Sequence, residues 1–370
     1  MTVAGGGASS TLTPLRDAPP SRIEILTIYR GIAAVLVVLF HYPRFVALPS
    51  WTPLLPSGQT NSVFYFGHSG VDFFFVLSGF VMVWGYRQEA GDARWLWPYL
   101  KARFARIYPA YWAAVVAAVL YLWNHPGEND AALAPDALLR ATLLYGRGPW
   151  VVPPSYTLPY ELVCYLGFAA FFLVRPAIFS VAALAWCAAA LCQWYGWLDV
   201  GSIWLAPRVL EWFLGAGGAL LVLQVRPRGS ALWLWTTGAL VLVMALVDDV
   251  GAVLGHVHDV RNFAVAYLLV IIAGASYEIT RRRRYPWLLM LLGEASYSIY
   301  LTHYYVIRAV SYSAARHPLV ADALGPNTRH VVTLLVVVAL GVAFWAVVER
   351  PLLAFTRRFT GVSPRVRDAS

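Results

Sequence analysis

The chain has little charge: Asp, Glu, Lys and Arg make up 13% of its 370 residues, and only 19 residues are acidic. Soluble domains usually carry about 25% charged residues, so this composition excludes an ordinary water-soluble fold. Cysteine is also scarce. Cys164, Cys187 and Cys192 lie in apolar segments and lack the spacing of zinc ligands. We therefore interpret them as buried apolar side chains and expect no metal site.

Several motifs of soluble enzymes are missing as well. The sequence has no internal repeat, no glycine-rich phosphate loop before a helix and no Gly-Xaa-Ser-Xaa-Gly nucleophile turn. No polar segment is long enough to bury a core of its own. Any chemistry is therefore expected in or beside apolar segments.

Those apolar segments dominate the chain, which is 59% hydrophobic with a mean hydropathy of +0.61. Several runs approach the roughly 20 residues that cross a bilayer as a helix. The sequence predicts an all-α polytopic membrane protein with about ten transmembrane helices, which we place at 23–46, 63–86, 106–123, 156–174, 177–197, 204–224, 231–248, 262–280, 288–312 and 330–349.

The orientation follows from the basic residues, which concentrate in alternate connections, including the run 281–284. Under the positive-inside rule these connections, and both termini, are cytoplasmic, in the plasma membrane. This asymmetry explains the net charge of +9 without a nucleic-acid partner. We expect a disordered tail at 1–22, a membrane domain at 23–355 and a basic tail at 356–370.

Arg30 and His41 stand within the first apolar segment, in IEILTIYRGIAAVLVVLFHY. Ionisable residues in such a segment are costly and indicate function. Eleven residues of helix turn through about 1100°, so both side chains lie on one face, about 16 Å apart along the axis. Arg30 is predicted in the cytoplasmic half of the membrane and His41 in the outer half.

The same reasoning places other polar residues by depth. Asp72 and Glu161 join His41 in the outer half, whereas Arg103 and Arg106 join Arg30 on the inner side. The inner cations could hold an anionic donor, and the outer imidazole and carboxylates could transfer protons. Arg103 and Arg106 could equally snorkel to the interface, and the run 281–284 is read first as a topological anchor.

Five motifs follow one another along the chain: the Arg30 to His41 spacing, GVDFFFVLSGF at 70–80, RFARIYPAYW at 103–112, YTLPYELVCYL at 156–166 and LGEASYSIYLTH at 292–303, with Glu349-Arg350-Pro351 as a closing signature. Together and in this order they resemble the motifs of the integral membrane enzymes of acyltransferase family 3. The fourth motif is nearer the exopolysaccharide-modifying branch. The chain departs from many members at residues 27–29, where Thr-Ile-Tyr stands in place of Asp-Gly-Leu.

The resemblance implies transfer of an acyl group, with acetyl the first expectation, from acyl-coenzyme A to a hydroxyl of a glycan or exopolysaccharide precursor. Arg guanidinium suits phosphate recognition, so the expected donor site is Arg30, Arg103 and Arg106 with Tyr297.

The expected catalytic residues are His41, Asp72 and Glu161. A neutral His41 would take the acceptor proton, and Asp72 or Glu161 would orient its ring. An acyl-His41 intermediate stays open. The competing functions are a non-enzymatic flippase or transporter of a lipid-linked glycan and a membrane glycosyltransferase or polymerase.

Overall fold

The computed structural model describes residues 22–42, 65–146, 148–253, 263–281, 284–317 and 326–360, and within these ranges the regular structure is helical throughout. The helices are α1 (Glu24–His41), α2 (Gly70–Tyr86), α3 (Leu96–Trp123), α4 (Pro135–Leu143), α5 (Leu158–Ala169), α6 (Pro176–Trp194), α7 (Pro207–Val225), α8 (Ala231–Val253), α9 (Phe263–Thr280), α10 (Trp287–Glu294), α11 (Ser296–Arg316), α12 (Pro326–Phe344) and α13 (Arg350–Thr360). A π-helical turn, Trp345–Glu349, joins α12 to α13. The predicted tails fall mostly on residues 1–21 and 361–370, outside the described residues.

Seven helical segments of the described chain are long and apolar enough to cross a membrane, and an eighth apolar stretch, Ala231–Val247, is shorter. The all-helical membrane class is therefore confirmed, while the number ten and the orientation stay predictions. Two predicted spans differ in form. The fourth is a helix of 12 residues followed by a 3-10 turn, and the ninth is interrupted at Ala295 between α10 and α11.

The tightest helix contact joins α2 to α7, and it depends on two glycines. A Cβ on Gly79 would overlap the carbonyl oxygen of Trp212, and a Cβ on Gly215 would overlap that of Val76. Small residues at such crossings let two backbones approach closely, which is how helices gain packing energy in a bilayer. The pair fixes α2, and so the polar groups on it, against α7.

The first helix, α1, is held at its start by a carboxylate from another helix. Glu278 of α9 accepts hydrogen bonds from the backbone N–H groups of Glu24 and Ile25, both at 2.7 Å. The first N–H groups of a helix have no partner within it, and here Glu278 supplies one. Since α1 also packs along α10 and α11, Arg30 and His41 have fixed positions in the bundle.

Candidate active site

A cavity of about 910 Å³, counting its opening, lies between α1, α2, α3, α5 and α11. Its wall is mostly apolar, with Phe74, Phe75 and Met82 from α2 and Ile107 from α3. The ionisable and hydroxyl-bearing side chains that reach it are Arg30, Ser78, Arg103, Arg106, Thr157, Glu161, Tyr165, Ser296, Tyr297 and Tyr300. An apolar pocket with a few converging polar groups is the usual form of a small-molecule site.

Three arginines share this cavity. Arg103 and Arg106 are three residues apart on α3 and therefore project from neighbouring positions on one face, while Arg30 comes from α1. Arg103 is only 4% exposed. Its guanidinium lies over the rings of Tyr99 and Tyr165, at 5.8 and 5.5 Å from their centres. The predicted donor residues are thus together in space.

Arg106 has a buried acidic partner. It forms an ion pair with Glu349, which is 2% exposed and also accepts a hydrogen bond of 2.5 Å from the hydroxyl of Ser298. The π-helical turn ends at Glu349, and such turns are frequent at functional sites. The guanidinium of Arg106 also lies 5.2 Å from the ring centre of Tyr297. The closing Glu349-Arg350-Pro351 signature therefore contacts an arginine of the cavity wall through its glutamate.

Glu161 lies in this cavity beside the arginines. It accepts a short hydrogen bond from the hydroxyl of Tyr165, one helical turn later on α5. Glu161 and Glu349 both interact electrostatically with Arg30. The sequence grouped Glu161 with His41, but the structure brings it together with Arg30, Arg103, Arg106 and Tyr297.

His41 lies against a second histidine. His303 of α11 is fully buried, and its Nε2 lies 3.3 Å from Nδ1 of His41. The two ring centres are 4.9 Å apart. Nδ1 of His41 also lies 2.9 Å from the carbonyl oxygen of Val37, and Nδ1 of His303 lies 2.8 Å from that of Tyr300.

These contacts define where the protons sit. A carbonyl oxygen can only accept a hydrogen bond, so Nδ1 carries the proton in both rings. Nε2 of His303 then carries a lone pair, which faces the N–H of His41. In a neutral His41 the remaining lone pair is on Nε2, on the opposite side of the ring from His303. Nε2 of His41 is thus the atom of this pair that can take a proton.

Asp72 belongs to a third group. Its carboxylate is fully buried and forms an ion pair with Arg208 of α7, which also donates to both oxygens of Glu211 at 3.0 Å. None of the sequence motifs includes Arg208. The spacing of three residues between Arg208 and Glu211 on a helix nevertheless predicts an ion pair between them.

The cavity and the histidine pair are neighbours but are separate. Neither His41 nor Asp72 belongs to the cavity wall. Tyr300 does, and its ring centre is 6.1 Å from that of His303 and 6.1 Å from that of Phe74. The hydroxyl of Tyr300 is held by Thr157 at 2.9 Å and the carbonyl of Pro154 at 2.6 Å. Tyr300 therefore stands at the boundary between the two regions.

Among the described residues, no group of three His, Cys, Asp or Glu side chains has the geometry to hold a metal ion. The polar groups within apolar helices instead form an arginine cavity next to a histidine pair. The class that fold and site define is a multi-pass membrane protein with a polar site inside its helical bundle.

Sequence comparison then gives the family. Residues 23–348 match the acyltransferase domain of acyltransferase family 3, and the chain belongs to this family.

Its relatives include the exopolysaccharide production protein ExoZ of Rhizobium meliloti, 30% identical over 80% of this chain and 92% of ExoZ. The acyltransferase MdmB of Streptomyces mycarofaciens is 28% identical over 78% of this chain and 79% of MdmB. Protein 2 of the picA locus of Rhizobium radiobacter is 33% identical, over 40% of this chain and 82% of that protein. No solved structure matches the chain.

Proposed function

We propose that this chain is a membrane O-acyltransferase that moves an acyl group, acetyl in the first instance, from cytoplasmic acyl-coenzyme A to a hydroxyl of a glycan at the outer side. The observation that carries this proposal is the adjacency of the arginine cavity to the histidine pair. The family and the similarity to the acyltransferase MdmB support the acyl chemistry, and the name of ExoZ supports an exopolysaccharide acceptor.

In this proposal the cavity holds the donor. Arg30, Arg103 and Arg106 bind the phosphates and amide carbonyls of acyl-coenzyme A, because guanidinium offers permanently charged donors in a planar fork. Tyr297 packs against Arg106 and keeps its guanidinium in place. The apolar part of the wall receives the pantetheine arm. Tyr300 is where the thioester leaves the cavity towards His41.

His41 is the general base. Its Nε2 takes the proton from the acceptor hydroxyl as that oxygen attacks the thioester carbonyl. The carbon–sulfur bond breaks, and the coenzyme A thiolate recovers the proton from the imidazolium of His41, so that free coenzyme A and an O-ester are formed. His303 positions the base: its Nε2 lone pair and the carbonyl of Val37 hold the proton of His41 on Nδ1.

The two carboxylates act less directly. Glu161 offsets the positive charge of the cavity and orders Tyr165. Asp72 holds α2 against α7 through its ion pair with Arg208. This contact also keeps Phe74, which is on α2, in place beside Tyr300.

Purified protein in lipid nanodiscs tests the reaction. With acetyl-coenzyme A labelled in the acetyl group and a glycan prepared from the host's exopolysaccharide by alkaline removal of its O-acyl groups, we expect base-labile label in the glycan and an equal amount of free coenzyme A. Movement of a lipid-linked glycan without release of coenzyme A would instead identify a flippase. Proteoliposomes with acetyl-coenzyme A on one side and glycan on the other test the transfer across the membrane.

A further inference from the structure

Helix α11 passes through three regions in succession. Tyr297 and Tyr300 line the cavity, and His303 contacts His41 one turn later. The turns that follow, up to Tyr312, carry Tyr304, Tyr305 and Arg308 and face the end of α3. The helices α3 and α11 run side by side in the same direction, because Ile107 meets Tyr297 at one end and Tyr121 meets Tyr305 further along. The part of α11 beyond His303 has no role in the proposed donor site.

This region is a continuous series of rings, which we call the ring cluster: Tyr121, His125, Tyr304, Tyr305 and Tyr312. Neighbouring ring centres are separated by 5.1 Å between Tyr121 and Tyr305, 5.5 Å between Tyr304 and Tyr305, 4.1 Å between Tyr121 and His125, and 4.8 Å between His125 and Tyr312. At one end Tyr304 lies against His41, with ring centres 6.3 Å apart. The cluster therefore leads to the proposed base.

A charged pair lies among these rings. Arg308 and Glu128 are 2.7 Å apart, and their side chains are 24% and 22% exposed. Glu128 also accepts a hydrogen bond of 3.3 Å from the hydroxyl of Tyr121. The guanidinium of Arg308 reaches the hydroxyls of Tyr121 and Tyr304. Donors and acceptors are thus fixed beside aromatic faces at a partly open surface.

Aromatic residues near the end of a transmembrane helix often form an interfacial belt, and the chain contains a clear example for comparison. Trp123, two residues after Tyr121, is 77% exposed. A belt residue faces the surroundings in this way. Tyr121 and Tyr305 are instead partly buried between two helices and surround an ion pair. Paired charges among inward-facing rings are not needed for anchoring.

We propose that the ring cluster, with Glu128 and Arg308, binds sugar rings of the glycan acceptor and presents a hydroxyl to His41. A sugar ring has an apolar C–H face, which packs on tyrosine, and hydroxyls that both donate and accept hydrogen bonds. The carboxylate of Glu128 can accept from these hydroxyls and the guanidinium of Arg308 can donate to them. This inference rests on the proposed acyl transfer and names the acceptor side of that site.

The test is a kinetic comparison of Tyr121→Leu, Glu128→Gln and Arg308→Gln with Trp123→Leu, which removes an aromatic ring near the same end of α3. The donor is labelled acetyl-coenzyme A, and the acceptor is the de-O-acylated host glycan used above. We expect each cluster variant to raise the acceptor KM about tenfold, the effect of losing one bound polar group. The KM for acetyl-coenzyme A and the kcat at saturating glycan should stay within about twofold of the wild type, as should every parameter of Trp123→Leu.

Equal acceptor KM values in the wild type and all three cluster variants would overturn the inference, as would equal increases for Trp123→Leu and Tyr121→Leu. Glu128→Gln keeps the shape of the side chain, so it serves if Tyr121→Leu does not fold. If the wild type transfers no label and releases no coenzyme A, the proposed function itself fails and the acceptor site falls with it. Transfer that persists with an unchanged acceptor KM removes the acceptor site alone.

Discussion

The arginine cavity and the histidine pair share two helices, α1 and α11, but their electrostatics differ. The cavity has permanent charge, with three arginines offset in part by Glu161 and Glu349. The described polar contacts of the histidine pair are neutral groups, namely the carbonyls of Val37, Ile299 and Tyr300 and the two rings themselves. Permanent charge suits the binding of an anionic donor, whereas a proton acceptor must be able to change its charge. The difference supports our proposal that donor binding and proton transfer occur in adjacent places.

The largest expected effect is a loss of acyl transfer without a change in donor binding. His41→Gln removes the proposed base and leaves the cavity wall intact, so transfer should fall by about 10²- to 10⁴-fold while the affinity for acetyl-coenzyme A stays as in the wild type. Steady-state release of coenzyme A measures the first quantity, and isothermal titration with a non-hydrolysable thioether analogue measures the second. Turnover retained by this variant would refute the role of His41.

Substitutions in the cavity should instead impair donor binding. Arg106→Gln leaves Glu349 buried without its partner, which costs about 3–5 kcal/mol, so this single variant should lower the thermal unfolding midpoint strongly. Arg106→Gln combined with Glu349→Gln should recover much of that stability and still raise the KM for acetyl-coenzyme A by about tenfold or more. A double variant with wild-type donor KM would show that Arg106 has only a structural role.

Variants of His303 test whether its contact with His41 contributes to the rate of transfer. His303→Phe removes the lone pair that faces His41, and we expect kcat to fall about tenfold or more with both KM values unchanged. His303→Asn can still present an acceptor oxygen, so it should recover part of the rate. ¹⁵N chemical shifts of the imidazoles should show His41 protonated on Nδ1 in both proteins, because the carbonyl of Val37 still accepts from Nδ1, but with a shifted Nδ1 resonance in His303→Phe, where the contact with the second ring is lost. An unchanged Nδ1 resonance in that variant would contradict the positioning role.

The smallest expected effect on catalysis is at Asp72. Asp72→Asn weakens the ion pair with Arg208, which keeps Glu211 as a partner. We expect less folded protein and a lower unfolding midpoint, but a kcat per folded molecule within about threefold of the wild type, since the interaction is structural. Rates per molecule follow from the fraction that elutes as a single species in detergent. A loss in kcat of several hundredfold would return Asp72 to the catalytic residues that the sequence suggested.

The sequence was sufficient for the class of fold and for the motif-bearing residues, because hydropathy and spacing along one helix are local properties. Arg30 and His41 on α1, and Arg103 and Arg106 on α3, could be grouped for this reason. The partners across helices could not be predicted. Glu161 lies with the arginines, Asp72 pairs with Arg208, and His41 contacts His303, because helix neighbours depend on packing such as the approach of α2 to α7 at Gly79 and Gly215.

The helix count shows a related limit. Hydropathy predicts the ninth span as one continuous helix, but the helix is interrupted at Ala295, between α10 and α11. Residues 287–300 contain no proline that would mark the interruption. Gly293, at the end of α10, lies against the backbone of Thr27 on α1. A packing contact of this kind is invisible to a hydropathy window.

A single-turnover experiment tests the division between donor cavity and histidine base most directly. Wild-type protein and His41→Gln in nanodiscs are each loaded with radiolabelled acetyl-coenzyme A and then mixed with de-O-acylated host glycan. We predict that both load equally and that only the wild type transfers label to the glycan in one fast phase, with free coenzyme A formed in equal amount. Equal transfer by His41→Gln, or loss of donor loading in that variant, would contradict the account.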